Sequence, residues 1–165
     1  MIAIGIDPGT PVTIVALTPA GGIMGVWDRD DVATYPQRSG KKTALAVNHP
    51  DAIAAILRPY SALGAQVVIE RVSAMPGQGI SSSTRFVGSM HLCHGIAVGI
   101  GMPATLVTPT AWKRTMGLTS DKEVSRAEAL RRWPDHTHLF RRKGDHDRAE
   151  AALLAVWLQT KMKET

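Results

Sequence analysis

A single cysteine, Cys93, stands among 165 residues. No internal disulfide can form from it, and no cysteine-based metal centre can be built. It lies in an apolar pattern of helical spacing, which predicts a buried thiol in a reducing compartment. No apolar run approaches the ~18 residues that a membrane-spanning helix needs, so no membrane partner is expected. No basic segment with a small-residue cleavage site precedes the first strand pattern, and no secretory leader is expected. Internal repeats and low-complexity segments are also missing. The length suits one domain over residues 1–165 with a single core. At 44% hydrophobic and 20% charged residues, the composition is that of an ordinary globular protein.

Negative charge is in the minority. Nineteen Lys and Arg against 14 Asp and Glu give a net charge of +5 and a pI near 9.7. Arg131, Arg132, Arg141, Arg142, Lys143 and Arg148 crowd into the last third of the chain. A clustered basic face suits nucleic acid, although solvated faces of structural helices also carry such clusters.

The chain opens on "IAIGIDPGT", in which Ile2, Ile4 and Ile6 alternate with small residues and Pro8-Gly9 ends the run. That pattern predicts a strand, and two further short strands follow over residues 12–17 and 22–28, close enough to be linked as hairpins. Residues 29–48 are polar and predict a loop with one short extra strand. Pro50 and Asp51 open a helix. "AQVVIERV" is an apolar strand ending in Glu70. After a Gly- and Ser-rich loop, a helix is expected from about residue 82, with Phe86, Met90, Cys93 and Ala97 on its apolar face. Gly88, Gly95 and Gly99 share that helix and predict close packing against another backbone, within the monomer or at a dimer interface. A short strand before Pro109, a helical turn carrying Trp112 and Lys113, and a helix capped by Ser120 with Glu123 in a capping box come next. The last helix starts near Asp145, and its body is apolar on nearly all sides. Strands alternating with helices after three hairpin-linked strands predict an α/β protein: a mixed sheet with helices on both faces.

Three acids share a position in this pattern. Asp7 and Glu70 each end an apolar strand, and Glu150 lies at the start of the buried last helix. Asp-Pro-Gly is an ordinary turn opening, but it also fits a carboxylate at the carboxyl edge of a sheet, where α/β folds hold ligands. If the two strands are adjacent and parallel, Asp7 and Glu70 meet. The helix then adds Glu150 with His146 at i−4 or Asp147 at i−3, since both spacings fall on one face. A cap or surface ion pair explains any one of these residues, Asp145 and Asp147 included. Three or four converging carboxylates repel one another in a low-dielectric cleft, and a hard divalent cation such as Mg²⁺ relieves that repulsion. Two such ions about 3.5–4 Å apart can activate a water and stabilise the leaving oxygen of a phosphodiester. His146, beside Glu150, is a candidate to orient the water or bind metal.

Four ordered motifs carry a resemblance: "IGIDPGT" with Asp7, "VVIERVSAMPGQG" with Glu70, "VTPTAWK" with Lys113, and "DHDRAEAALLA" with His146, Asp147 and Glu150. The chain is similar to the RuvC-like Holliday junction resolvases, most of all to those of bacteriophages and chloroplasts. The resemblance covers residues 1 to about 158 and leaves 29–48 unmatched. It implies a ribonuclease H-like fold with a five-stranded mixed sheet flanked by helices on both faces. It also implies a homodimer that nicks four-way DNA junctions symmetrically, using two Mg²⁺ ions per active site, with Mn²⁺ able to substitute. Asp7, Glu70 and Glu150 would be metal ligands. The fourth group is His146 by the chloroplast-type pattern and Asp147 by the bacterial one, and His146 is favoured. Lys122, at the position of a chloroplast-type lysine, would offset phosphate charge. Gln78, Ser82 and Ser83 in the loop after Glu70, with Lys113, Arg141, Arg142 and Lys143, would meet the DNA. The setting implied is the cytoplasm of a bacterial or phage-infected cell, with an organelle as the alternative.

Two rivals differ in class and a third changes only the substrate. An Asp-Gly-Thr turn also meets nucleotide phosphate in the sugar kinase and actin group, but that fold closes two domains and needs a second glycine loop that this chain lacks. A catalytically silent DNA-binding module would have no need of Asp7, Glu70 and Glu150 together. A nuclease of the same fold could act on RNA–DNA hybrids or other branched DNA.

Overall fold

The computed structural model describes residues 1–34, 46–73 and 79–164. Strand β1 (Ala3–Asp7) pairs antiparallel with β2 (Thr13–Leu17), which pairs antiparallel with β3 (Ile23–Trp27). A separate small pair joins β4 (Ala33–Thr34) to β5 (Val47–Asn48), so the polar stretch after β3 contributes two short strands rather than one. Helix α1 (Pro50–Ala62) leads into β6 (Gln66–Glu70), which lies parallel to β1. Helix α2 (Ile80–Gly99) crosses to β7 (Ala104–Val107), parallel to β6. Helices α3 (Pro109–Thr115), α4 (Lys122–Arg132) and α5 (His146–Lys163) complete the chain. The sheet order is β3-β2-β1-β6-β7, a five-stranded mixed sheet.

Alternation along the strands sorts the core into two layers. Ile4, Ile6, Ile14, Val67 and Ile69 face α1 and α2, with Ile53, Leu57, Met90 and Ala97. Ala3, Val15, Leu17 and Val68 face α5, with Leu153, Leu154, Trp112 and Phe140. Cys93 is fully buried in the first layer. Desolvation, and secondarily the Asp7 carboxylate, push its thiol up to about 12. No helix among the described residues is long and apolar enough to cross a membrane.

The cap of the fourth helix needs correction. Helix α4 is capped by Asp121, not Ser120: the Asp121 carboxylate accepts the Glu123 N–H at 2.9 Å. Asp is as good a cap as Ser and adds a favourable charge at the helix N-terminus. Glu123 is drawn instead to Arg126, three residues on. Of the two packings expected for the α2 glycines, the monomer supplies no partner: among the described residues, a Cβ at Gly88, Gly95 or Gly99 would meet nothing within 4 Å.

Candidate active site

The parallel register pairs Ile6 with Ile69, so the next residues, Asp7 and Glu70, end neighbouring strands at one sheet edge. Asp7 has the parity of Ala3 and Gly5, and Glu70 that of Val68. Both side chains therefore rise on the α5 side. Gly5 brings α5 close. A Cβ there would sit 1.9 Å from the Ala151 carbonyl oxygen and 2.8 Å from the Ala155 nitrogen. Only glycine lets the helix backbone rest on β1, and that contact carries the first turns of α5 to the Asp7 end of the strand.

Oxygens of Asp7, Asp147 and Glu150 consequently lie within 4.8 Å of one another. They open into a cleft of about 930 Å³ that Glu70, Lys113, Lys122 and His146 also line. The three-carboxylate set does not include Glu70 or His146. Glu70 is held from the other side, its Oε1 accepting the Trp112 indole N–H at 2.9 Å. Lys113, 9% exposed, donates to Glu150 Oε1 at 2.5 Å, with Ser125 Oγ 3.4 Å from the same oxygen. Lys122 reaches Asp147 Oδ1 at 3.3 Å.

The electrostatics follow from this crowding. Burial, then repulsion from Asp147, Glu70 and Glu150, holds the Asp7 carboxyl well above the usual carboxylate range, with Lys122 pulling the other way. Burial also raises Glu70, against the Trp112 hydrogen bond, while Glu150 adds repulsion. Burial works against the charge on Lys122, but Asp147, Glu150 and Asp7 outweigh it and raise its ammonium. Two lysines thus offset part of a charge that the carboxylates cannot share comfortably among themselves.

Of the two residues left open by helical spacing, the geometry brings Asp147 into the carboxylate set. His146 stands beside it. Its Nδ1 lies 2.9 Å from the Lys143 carbonyl oxygen and its Nε2 3.0 Å from Asp147 Oδ1. Among the residues expected to meet DNA, Arg141, Arg142 and Lys143 are exposed on the segment leading into α5. Ser82 and Ser83 are half-buried in the first turn of α2. Lys113 and Lys122 lie in the cleft itself. Gln78 and Met75 fall outside the described residues. Of the wider basic cluster, Arg131 and Arg132 pair with Glu128, and Arg148 pairs with Asp28 at 2.6 Å.

Trp112 and Ser125 are site residues that spacing did not single out. A buried indole N–H needs an acceptor, and that rule is the one signal that could have tied Trp112 to a strand-end acid. Ser125, on an α4 face turned inward, gave none.

No protein-family model and no curated protein sequence matches the chain. Among solved structures, the chain superposes on T. thermophilus RuvC in complex with Holliday junction substrate with a TM-score of 0.63, at 15% identity, over 98% of this chain and 96% of that one. A second Thermus thermophilus RuvC structure gives a TM-score of 0.54 at 14% identity, over 99% and 97% of the two chains. The fold is therefore RuvC-like along nearly its whole length.

Proposed function

We propose that the chain is a divalent-metal-dependent endonuclease that resolves four-way DNA junctions by paired phosphodiester cuts. The observation that carries this reading is the convergence of Asp7, Asp147 and Glu150 within 4.8 Å, at the carboxyl edge of a RuvC-like sheet. All the converging donors are hard carboxylate oxygens, and Asp7 is held above its ordinary range by its neighbours. That donor set fits Mg²⁺ or Mn²⁺ and would not suit a soft metal.

Asp7, Asp147 and Glu150 would hold the metal, with Glu70 completing the site from β6. When bound, the metal supplies water activation and stabilisation of the leaving oxygen. The remaining work falls to the chain's own groups. Trp112 fixes one Glu70 oxygen, so the carboxylate presents the other to the cleft. Lys113 and Lys122 bring positive charge to the place where a phosphate must approach four acids. His146, with Nε2 3.0 Å from Asp147 Oδ1, orients the Asp147 carboxylate when that nitrogen carries the proton. Arg141, Arg142 and Lys143 have no carboxylate within ion-pair distance among the described residues and are free to meet backbone phosphates. Symmetric cutting calls for two equivalent sites, and a two-fold homodimer would provide them.

The test is a cleavage panel with Mg²⁺: four-way, three-way and flap DNA beside an RNA–DNA hybrid, each with Asp7→Asn as the control. Paired nicks confined to the four-way junction, lost in the control, are expected. Preferential cutting of the hybrid would move the substrate to RNA, and junction binding without Mg²⁺-dependent cutting would make the chain a silent binding module.

A further inference from the structure

Among the described residues, five cations line the cleft: Arg29, Arg71, Lys113, Lys122 and Arg148. Lys113, Lys122 and Arg148 each have a carboxylate partner. Arg29 and Arg71 have none among the described residues, and residues 35–45 and 74–78 contain no Asp or Glu at all. Arg29 differs from Arg71 in its backbone. Its φ is +45°, the one positive φ outside glycine among the described residues. Glycine would adopt this conformation freely, so an arginine there works against local preference.

The turn around it is tightly held. Asp28 accepts two hydrogen bonds from Arg148, at 2.6 and 3.2 Å, and Arg148 belongs to the first turn of α5, beside Asp147. Asp31 returns a carboxylate oxygen to the Asp28 N–H at 3.1 Å, and the Asp31 N–H donates to the Asp28 carbonyl at 3.0 Å. Val32 is then fully buried, and the His49 N–H bonds its carbonyl at 2.8 Å. A strained residue persists where its surroundings over-determine it, and such residues gather at binding and catalytic sites.

Topology says where the side chain stands. Strand β3 is antiparallel to β2, and β2 to β1, so β3 ends at the same sheet edge as Asp7. Two strand spacings put that end about 10 Å from the end of β1. Arg29 is exposed and lines the cleft.

We propose that Arg29 is a DNA-positioning residue that grips a backbone phosphate next to the one cut at the carboxylates. This rests on the endonuclease reading above. The Asp28–Arg148 pair ties the grip to the helix that carries Asp147 and Glu150, so the strand is fixed relative to the site and not merely attracted to it.

The experiment compares wild type, Arg29→Gln, Arg29→Lys and Arg29→Gly by junction binding across a salt series, single-turnover cleavage and thermal melting. Arg29→Gln is expected to weaken binding about 5–10-fold and to lower the slope of log K against log salt by ~0.9, one phosphate contact. Half-saturating DNA should rise in cleavage while the maximal rate stays within about threefold. Arg29→Lys should keep the salt slope. Arg29→Gly should show the same binding loss while melting at or above the wild-type temperature, because glycine removes the strain. Wild-type affinity and slope in both Arg29→Gln and Arg29→Gly would overturn the proposal and leave the endonuclease reading standing. A wild-type protein that neither binds nor cuts junctions would overturn both.

Discussion

An ionised Asp7 costs the fold, because burial and the neighbouring acids oppose its charge. Its carboxyl is raised by burial and by three neighbouring acids, so the folded chain holds the proton where the unfolded chain, near the ordinary 3.8, has released it. The stability linked to Asp7 is therefore fully present below about pH 3.8 and is lost as pH rises through the raised value. Asp7→Asn should then melt above wild type at pH 7, with the gap closing as pH falls below about 4, while metal-dependent cleavage disappears. A variant less stable than wild type at pH 7 would mean that Asp7 is structural. Asp7 and Glu70 were legible in sequence because each ends an apolar run, and Glu150 because it opens an apolar helix. The choice between His146 and Asp147 was not, since i−4 and i−3 share one helical face. Asp147, and not His146, lies with Asp7 and Glu150 within 4.8 Å, and on the proposed reading Asp147→Asn should depress cleavage by ~100-fold or more. His146→Ala should cost about 10-fold, in the range of losing a group that orients a ligand. Single-turnover rates in the reverse order would return the fourth position to His146.

At the scale of elements, the site depends on how α5 lies across β1. The alanine-rich body of α5 and the glycine in β1 form a contact between two backbones, and the helix start is aimed by it. Gly5→Ala should therefore act at a distance. The added methyl meets a carbonyl oxygen and an amide nitrogen, neither of which can rotate away, so the penalty belongs at the upper end of overpacking, ~3 kcal/mol. For a chain of this size that lowers the melting temperature by about 6–12 °C. Cleavage measured well below the new melting point should still fall, because Asp147 and Glu150 move with the helix. Full activity at low temperature would show that the helix start is aimed by something else. Periodicity makes most strands and helices legible, but Gly5 is only one small residue among several in "IAIGID". The cap of α4 was misplaced by one residue because Ser120 and Asp121 are both good caps, and only the backbone at the helix start decides between them.

At the scale of the whole molecule, the glycines of α2 bear on assembly. Gly88, Gly95 and Gly99 are exposed, and a Cβ on any of them would enter open space. Thr84, Gly88, His91, Gly95 and Val98 recur four and three residues apart along one exposed face, and Val98 is 55% exposed. In a single copy this arrangement only lowers helix stability, by about 1 kcal/mol for each glycine relative to alanine. A second copy packed closely along α2 would give the glycines a purpose and would supply the second cutting site that a symmetric junction requires. Spacing could raise the possibility of close packing but not say against what, because the partner surface is not in the monomer. Gly95→Ala distinguishes the cases by sign. If α2 faces solvent, alanine raises the melting temperature by about 2–4 °C at every protein concentration. If two copies meet there, wild type sediments as a dimer at micromolar concentration and melts higher as concentration rises. Gly95→Ala then shifts the mass toward the monomer and loses paired cutting before it loses single nicks. A wild-type monomer that resolves junctions fully would refute the dimer.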